Sequence, residues 1–465
     1  MSDRLSGERV VVLGLARQGT ALARFLVGIG AEVVVSDLRE AGALAEPLGV
    51  LAGLPIEFVL GEHPDSLLEG ADALALSAGV PFDVPLAAEA RRRGLPLTNE
   101  AQLFVERCPA PIMGITGSAG KTTTTALAGE ICRADATAPG ATWVGGNIGN
   151  PLIADLGDIR PEDRVVMELS SFQLEVMTLG TQVGAVLNVA PNHLDRHKTM
   201  EAYTAAKANL LRYQPSEGVA VLGADDAGAA ALADAARGRV VWFSGEREVE
   251  AGAWLAGEDL KLRLGDGPGQ RVCGLGDIRL RGYHNVLNTL AACAITGAAG
   301  VPVEAMRAGI AAFTGVAHRL EVVAEIGGVT YVNDSKATAP QEAMAGLKAY
   351  DRGEPLVLLL GGRDKDLPWR ELMDLAVRRC KAIITFGEAG EMVAHEAHMA
   401  RRALHELEWG ILETRPDLES AVRLAAELAA PGDVVLLSPG GTSFDAYADF
   451  EARGEHFRAL VATLV

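Results

Sequence analysis

Three α/β domains in series are the fold class this sequence predicts, and three observations carry the prediction. The chain has 465 residues, too many for a single hydrophobic core. Continuous apolar runs such as RVVVLG, PIMGITG, PLVLLLGG and VVLLSPGG pass directly into glycine-rich loops, the form of buried parallel strands handing over to helices. No short-period repeat or low-complexity tract interrupts the pattern. The expected boundaries are residues 1–100, 101–314 and 315–465.

In the first domain, RVVVLG reads as a strand, GLARQGTALARFLVGIG as a glycine turn and helix, and EVVVSDL as a second strand ending at Asp37. This is the opening of a Rossmann-like, doubly wound unit. Gly14 and Gly19 are spaced G-x₄-G rather than G-x-G-x-x-G. A nucleotide or sugar-nucleotide at the switch point is therefore expected in place of a dinucleotide, with a plain tight turn as the alternative. ADALALSAGV places Ser77, Ala78 and Gly79 after a further strand. The segment 96–111 reads as the crossing into the second domain.

The second domain opens on PIMGITGSAGKTTTT: a strand, a glycine loop and a helix start. Such a loop converges backbone N–H groups on phosphate oxygens, and the helix dipole adds positive potential. Lys121 can reach the β/γ-phosphates, and the Thr122 hydroxyl is placed for Mg²⁺, which gives a P-loop ATPase-like domain. Five residues separate Gly114 from Gly120 where the strict pattern has four, and a glycine-rich connection is the bland alternative. WVGGNIGNP (143–151) is turn-forming and too polar for a core strand. DRVVMELSSFQLE ends a strand at Glu168, and VGAVLNVAPNH ends another before His193; a helix with Lys207 follows. Glu168 and His193 thus fall at strand ends beside the glycine loop, where α/β sheets bind ligands. A short β-rich stretch and an Ala-rich helix from Asn285 complete the domain.

The third domain, again Rossmann-like, starts near Thr314. EVVAEIGGVTYVNDSKATAP reads as two strands about a Gly-Gly turn, ending in a polar loop with Asp334, Lys336 and Thr338. PLVLLLGGRDKDLPW, KAIITFGEAG and GDVVLLSPGGTSFDAY repeat the strand-then-loop form.

Composition bounds the partners. A net charge of −19 argues against nucleic acid and anionic membranes, while leaving room for a positive cleft that binds small anions. No 18-residue apolar span and no signal-peptide pattern occur, and five scattered cysteines suit a reducing cytoplasm. Only eight of the 42 basic residues are lysine. Lys121, Lys207, Lys336 and Lys365 fall inside the motifs, as expected where lysine's own chemistry is needed.

TGSAGKTTTT, GGNIG, ELSSFQLE, NHLDRH, YTAAK, HN-x₂-N, HRLE and NDSKAT, in that order, resemble the Mur ligase family of ATP-dependent amide-forming enzymes, and the resemblance runs from Gly14 to Phe457. ELSSFQLE and GGNIG favour the member that adds D-glutamate to UDP-N-acetylmuramoyl-L-alanine. The resemblance implies that Gly14, Leu15, Ala16, Asp37, Ser77, Ala78 and Gly79 hold the uridine diphosphate, and that Asn147, Ser170 and Gln173 line the muramoyl-alanine end. It implies an ATP cradle of Gly117, Ser118, Ala119, Gly120, Lys121, Thr122 and Thr123, with Asn285, Asn288, Arg319 and Asp334 also contacting the nucleotide. Thr122 and Glu168 would bind one Mg²⁺, and His193 with a carbamylated Lys207 the second. Lys121, Glu168, His193 and Lys207 would form the catalytic set. Lys336, Thr338, Lys365, Ser443, Phe444 and Phe450 would seat D-glutamate. A monomer working in cytoplasmic peptidoglycan precursor synthesis is the implied setting. The chain departs from the common pattern at Ala119, where Asn is usual, at Ala78, where Pro is usual, at Asn192, where Asp is often found, and at Leu38, which offers the uracil no hydroxyl.

The chemistry explains the residue types. ATP converts a carboxylate into an acyl phosphate that an amine then attacks, so two anions must first meet, and Lys, Arg and metal ions screen that repulsion. A nicotinamide-dependent oxidoreductase would leave GKTTTT and the third domain unexplained. An ATP-dependent protein switch would hydrolyse ATP slowly without an amine, whereas a ligase should wait for its co-substrates.

Overall fold

The computed structural model describes residues 3–280, 282–350, 353–404 and 410–464. The first sheet contains strands β1 (Arg9–Leu13), β2 (Glu32–Asp37), β3 (Ile56–Leu60), β4 (Ala73–Leu76) and β5 (Leu97–Thr98), all parallel, in spatial order β3-β2-β1-β4-β5. The order reverses between β1 and β4, the switch point at which such sheets take ligands. Alternate residues of β1 feed opposite faces: Val10 and Val12 join one apolar core, Val11 and Leu13 another. This is why the run is apolar throughout.

The second sheet contains β6 (Ile112–Thr116), β7 (Thr142–Gly146), β8 (Arg164–Glu168), β9 (Val183–Val186), β10 (Val219–Gly223), β11 (Arg239–Ser244), β12 (Gly252–Ala256), β13 (Asp259–Arg263) and β14 (Gln270–Gly274). Their spatial order is β14-β13-β12-β11-β10-β9-β6-β8-β7, parallel except for the β12–β13–β14 meander. The stretch 143–151, read as turn-forming and too polar for a core strand, holds no core strand but does contribute an edge one. Thr142–Gly146 pairs with β8 as the edge strand β7, where partial exposure tolerates polarity; only 147–151 is turn and loop. The stretch 96–111 still belongs in part to the first sheet through β5, and the helix Glu100–Arg107 then leads into β6.

The third sheet contains β15 (Glu321–Ile326), β16 (Val329–Asn333), β17 (Leu356–Gly361), β18 (Cys380–Phe386), β19 (Ile411–Arg415) and β20 (Val434–Gly440), in order β15-β16-β20-β17-β18-β19. Only the β15–β16 hairpin is antiparallel. Every residue of β17 is buried, with Leu356, Leu358 and Leu360 in one core and Val357 and Leu359 in the other.

The chain separates into two compact units, Met1–Arg279 with Tyr283–Phe313, and Leu280–Gly282 with Thr314–Val465. The first two sheets share the first unit. One continuous core there joins Val10, Val12 and Leu22 to Phe104, Ile112, Val165 and Leu174. Among the described residues no helix is long and apolar enough to cross a membrane.

Candidate functional site

At the switch point of the first sheet, Gly14 has φ +88°, and a Cβ there would lie 2.8 Å from Val80 and 3.1 Å from the Ser77 Cβ. The loops after β1 and β4 therefore touch, bringing Gly14, Leu15 and Ala16 beside Ser77, Ala78 and Gly79. Asp37 accepts four hydrogen bonds: from Leu15 N (2.7 Å), Arg39 N (2.9 Å), Arg39 Nε (3.0 Å) and Arg39 Nη2 (2.8 Å). Burial opposes its charge, but the Arg39 guanidinium and the two amides outweigh burial and hold its pKa down to about 2. Those bonds fill the carboxylate's acceptor sites, so Asp37 shapes the loop and anchors Arg39, whose side chain is half exposed. Arg39 is a cation at this site that sequence reasoning passed over.

Around the glycine loop, Gly120 (φ +81°) caps the helix Lys121–Arg133. A Cβ on Gly120 would lie 2.3 Å from Asn288 Oδ1, so only glycine allows the helix Tyr283–Ala298 to bring Asn288 this close. Asn288 in turn donates to Asn285 Oδ1 (2.9 Å), and both side chains are buried. The Ser118 and Ala119 amides are held by Asn188 O (3.0 Å) and Oδ1 (2.8 Å). The first-turn amides of the helix behind Gly120 have no intrahelical acceptor and supply the N–H cradle for an anion. Asn188 carried no sequence signal beyond its place after a strand.

Lys207 defines the base of this loop. It lies on the helix Met200–Arg212, is 1% exposed, and donates to Gly117 O (2.9 Å) and Thr116 Oγ1 (3.4 Å), with Nζ 4.6 Å from the Tyr203 ring centroid. Lys121 donates to the same Gly117 O (2.9 Å). Burial, reinforced by the Lys121 charge, pushes the Lys207 pKa down to about 6, so at neutral pH its amine is largely uncharged.

Glu168 ends β8 beside the loop, its register partner being Ile115 in β6. Its Oε1 accepts from Asn147 Nδ2 (2.7 Å), whereas its Oε2 is buried with no hydrogen-bond partner. An orphan carboxylate oxygen at the end of the strand beside the glycine-loop strand fits a hard cation. Among the described residues no three His, Cys, Asp or Glu side chains gather as a metal cluster. A metal beside Glu168 would draw on that residue and Thr122. His193 is exposed with φ +53°, and its ring lies edge-on to Phe172 at 5.1 Å. Phe172 also stacks on His197 (5.2 Å) and carries the Arg196 guanidinium at 4.6 Å. Ser170 caps the helix Ser171–Val176 through a reciprocal capping box with Gln173. Gln173, expected to line a substrate, is 0% exposed and bonded within the protein.

In the second unit, Asp334 is buried; burial pushes its pKa up to about 7 against the opposing bonds from Ser438 Oγ (2.7 Å) and Leu320 N (3.2 Å). Arg319 belongs to the preceding turn, which Arg319 N closes on Val316 O (3.1 Å). Lys336 Nζ lies 5.8 Å from the Phe450 ring centroid, and Lys365 Nζ donates to Thr338 Oγ1 (3.2 Å). The structure thus brings Lys336 to Phe450 and Lys365 to Thr338. Ser443 is buried in the next loop, while Phe444 is 62% exposed. Sequence reasoning missed Arg453. It is 0% exposed and donates to Ser335 Oγ (3.0 Å), Ser335 O (2.8 Å) and Gly441 O (3.1 Å), tying the loop after β16 to the loop after β20.

Parallel sheets with switch points and a glycine loop at a helix start define a nucleotide-binding α/β protein, and comparison with known proteins gives its family. Three family models match: the Mur ligase MurD-like N-terminal domain over residues 8–99, the Mur ligase middle domain over 115–296, and the Mur ligase glutamate ligase domain over 318–441. The chain belongs to the Mur ligase family. Curated relatives named UDP-N-acetylmuramoylalanine–D-glutamate ligase come from Symbiobacterium thermophilum, 42% identical over 460 residues, and Pelotomaculum thermopropionicum, 41% identical over 458 residues; each alignment covers 98% of both chains. A solved UDP-N-acetylmuramate-alanine ligase from Thermotoga maritima shares the fold, with a TM-score of 0.57 at 18% identity over 98% of this chain and 100% of that one.

Proposed function

We propose that this chain is the ATP-dependent ligase that joins D-glutamate to UDP-N-acetylmuramoyl-L-alanine, acting as a cytoplasmic monomer in peptidoglycan precursor synthesis. The observation that carries the chemistry is the buried Lys207 at the foot of the glycine loop, bonded to Gly117 O; the names of its full-length relatives carry the choice of substrates.

The loop from Gly117 to Thr123 holds the ATP phosphates, with Lys121 on the β/γ-phosphates. Asn285, Asn288, Arg319 and Asp334 are further contacts of the nucleotide. The alanine carboxylate attacks the γ-phosphorus; a new P–O bond forms as the β–γ P–O bond breaks and ADP leaves, and the D-glutamate amine then attacks the acyl carbon, forming the C–N bond as inorganic phosphate leaves and the amine gives up a proton. Lys336, Thr338, Lys365, Ser443, Phe444 and Phe450 seat that amino acid. Gly14, Leu15, Ala16, Ser77, Ala78 and Gly79 bind the uridine diphosphate, and Asn147 and Ser170 meet the muramoyl-alanine end.

Thr122 and Glu168 would hold one Mg²⁺ and His193 with Lys207 a second. Bound there, Mg²⁺ neutralises charge on the phosphates. A lysine ammonium would repel such an ion. The neutral Lys207 amine instead attacks CO₂, forms an N–C bond, releases a proton and becomes an anionic oxygen ligand of the kind Mg²⁺ prefers.

The test is ADP release with UDP-N-acetylmuramoyl-L-alanine against a panel of amino acids. Turnover is expected with D-glutamate and not with L-glutamate or D-alanine, because a cation left unpaired in the site is unfavourable. Comparable turnover with L-glutamate or D-alanine would refute the assignment.

A further inference from the structure

The helix Glu100–Arg107 begins where the first sheet ends, and its first turn grips the segment Ser170–Thr178 at three points. Asn99 Nδ2 donates to Gln173 O (2.8 Å), Gln173 Nε2 donates to Glu100 Oε1 (3.0 Å), and Thr178 N donates to Gln102 Oε1 (2.9 Å). Glu100 is 2% exposed, and its Oε2 is buried with no hydrogen-bond partner. We propose that Glu100 is a positioning residue for the reaction: it orients the Gln173 amide so that the Ser170 hydroxyl meets the muramoyl-alanine substrate as a hydrogen-bond acceptor. The inference rests on the substrate reading above.

The chemistry leaves the Gln173 amide one orientation. The Ser170 backbone N–H can only donate, and it bonds Gln173 Oε1 at 2.8 Å. The amide NH₂ must then face Glu100, whose Oε1 accepts. Gln173 Oε1 also takes the Ser170 hydroxyl proton (2.9 Å), and Gln173 N donates to Ser170 Oγ (3.2 Å). The hydroxyl's only hydrogen is thus engaged and one lone pair remains, so the ligand group it recognises is a donor such as an amide N–H. Burial pushes the Glu100 pKa up to about 7, and a proton on the unpaired Oε2 still leaves Oε1 accepting. A buried carboxyl with an unpartnered oxygen lowers stability, and such local violations are retained where they serve a site.

Steady-state kinetics on the full chain test this with two variants. Glu100→Met keeps the volume and removes the acceptor. It should raise the KM for UDP-N-acetylmuramoyl-L-alanine tenfold or more and leave the KM values for ATP and D-glutamate within about twofold, while the buried Gln173 NH₂ that loses its acceptor lowers thermal stability. Glu100→Gln can still turn its carbonyl towards Gln173 and should keep the KM within about threefold of wild type. An unchanged KM in Glu100→Met, an equal rise in all three KM values, or a Gln variant as impaired as Met would overturn the proposal. Absence of wild-type turnover with these substrates would instead refute the substrate reading, so the two failures are distinct.

Discussion

Replacing Lys207 with methionine should abolish ligation and yet stabilise the ligand-free protein at neutral pH. In the folded chain burial and Lys121 lower the Lys207 pKa from 10.5 to about 6. Between those values the unfolded chain binds more protons than the folded one, so stability rises with pH across that window. At pH 7 the gap to the unfolded value is about 3.5 pH units, or about 5 kcal/mol of lost stability. Methionine fills much of the same space, escapes that penalty and gives up a hydrogen bond to Gly117 O of about 1 kcal/mol. The variant should therefore be more stable than wild type by about 4 kcal/mol at pH 7, and the advantage should shrink by about 1.4 kcal/mol per pH unit and vanish near pH 10. The assay is denaturant unfolding followed by circular dichroism between pH 7 and 10, with a chelator present and CO₂ excluded so that the amine stays unmodified. A variant less stable than wild type at pH 7, or a difference flat in pH, would refute the reasoning.

Lys207→Arg keeps the charge and should be nearly inactive. Lys207→Ala should be equally poor but should regain activity with formate or acetate, which can enter the gap as an anionic oxygen ligand; substantial activity in the Arg variant would return Lys207 to a structural role. Lys121→Ala should lose ligation while binding UDP-N-acetylmuramoyl-L-alanine as wild type does in a calorimetric titration, since its contact is with Gly117 at the phosphate loop. Gly120→Ala should weaken ATP binding and destabilise the chain by about 1–3 kcal/mol, because the new Cβ would meet Asn288 Oδ1 at a position with φ +81°; equilibrium binding of ATP and a denaturant midpoint read the two effects separately.

The strands were legible because parallel sheets buried on both faces demand continuous apolar runs. Arg9–Leu13, Ile112–Thr116 and Leu356–Gly361 read as strands for that reason, and the glycines that follow mark the turns. That Lys121, Glu168 and His193 each end or follow one of three neighbouring strands, β6, β8 and β9, was also legible from local order. The edge strand Thr142–Gly146 did not follow, because an edge is half solvated and its polarity resembles a turn. Nor did the partners of polar side chains. Arg453 stands in a helix where an arginine reads as a solvated face, yet it is fully buried on Ser335, 118 residues away in sequence. Glu100 finds Gln173 73 residues on, and Asn188 holds Ala119 across 69. Apolar periodicity is a local property that the chain carries along its length. The partner of a buried polar atom, and with it the charge state of Lys207, is settled only when distant strands and helices close around it and remove the water.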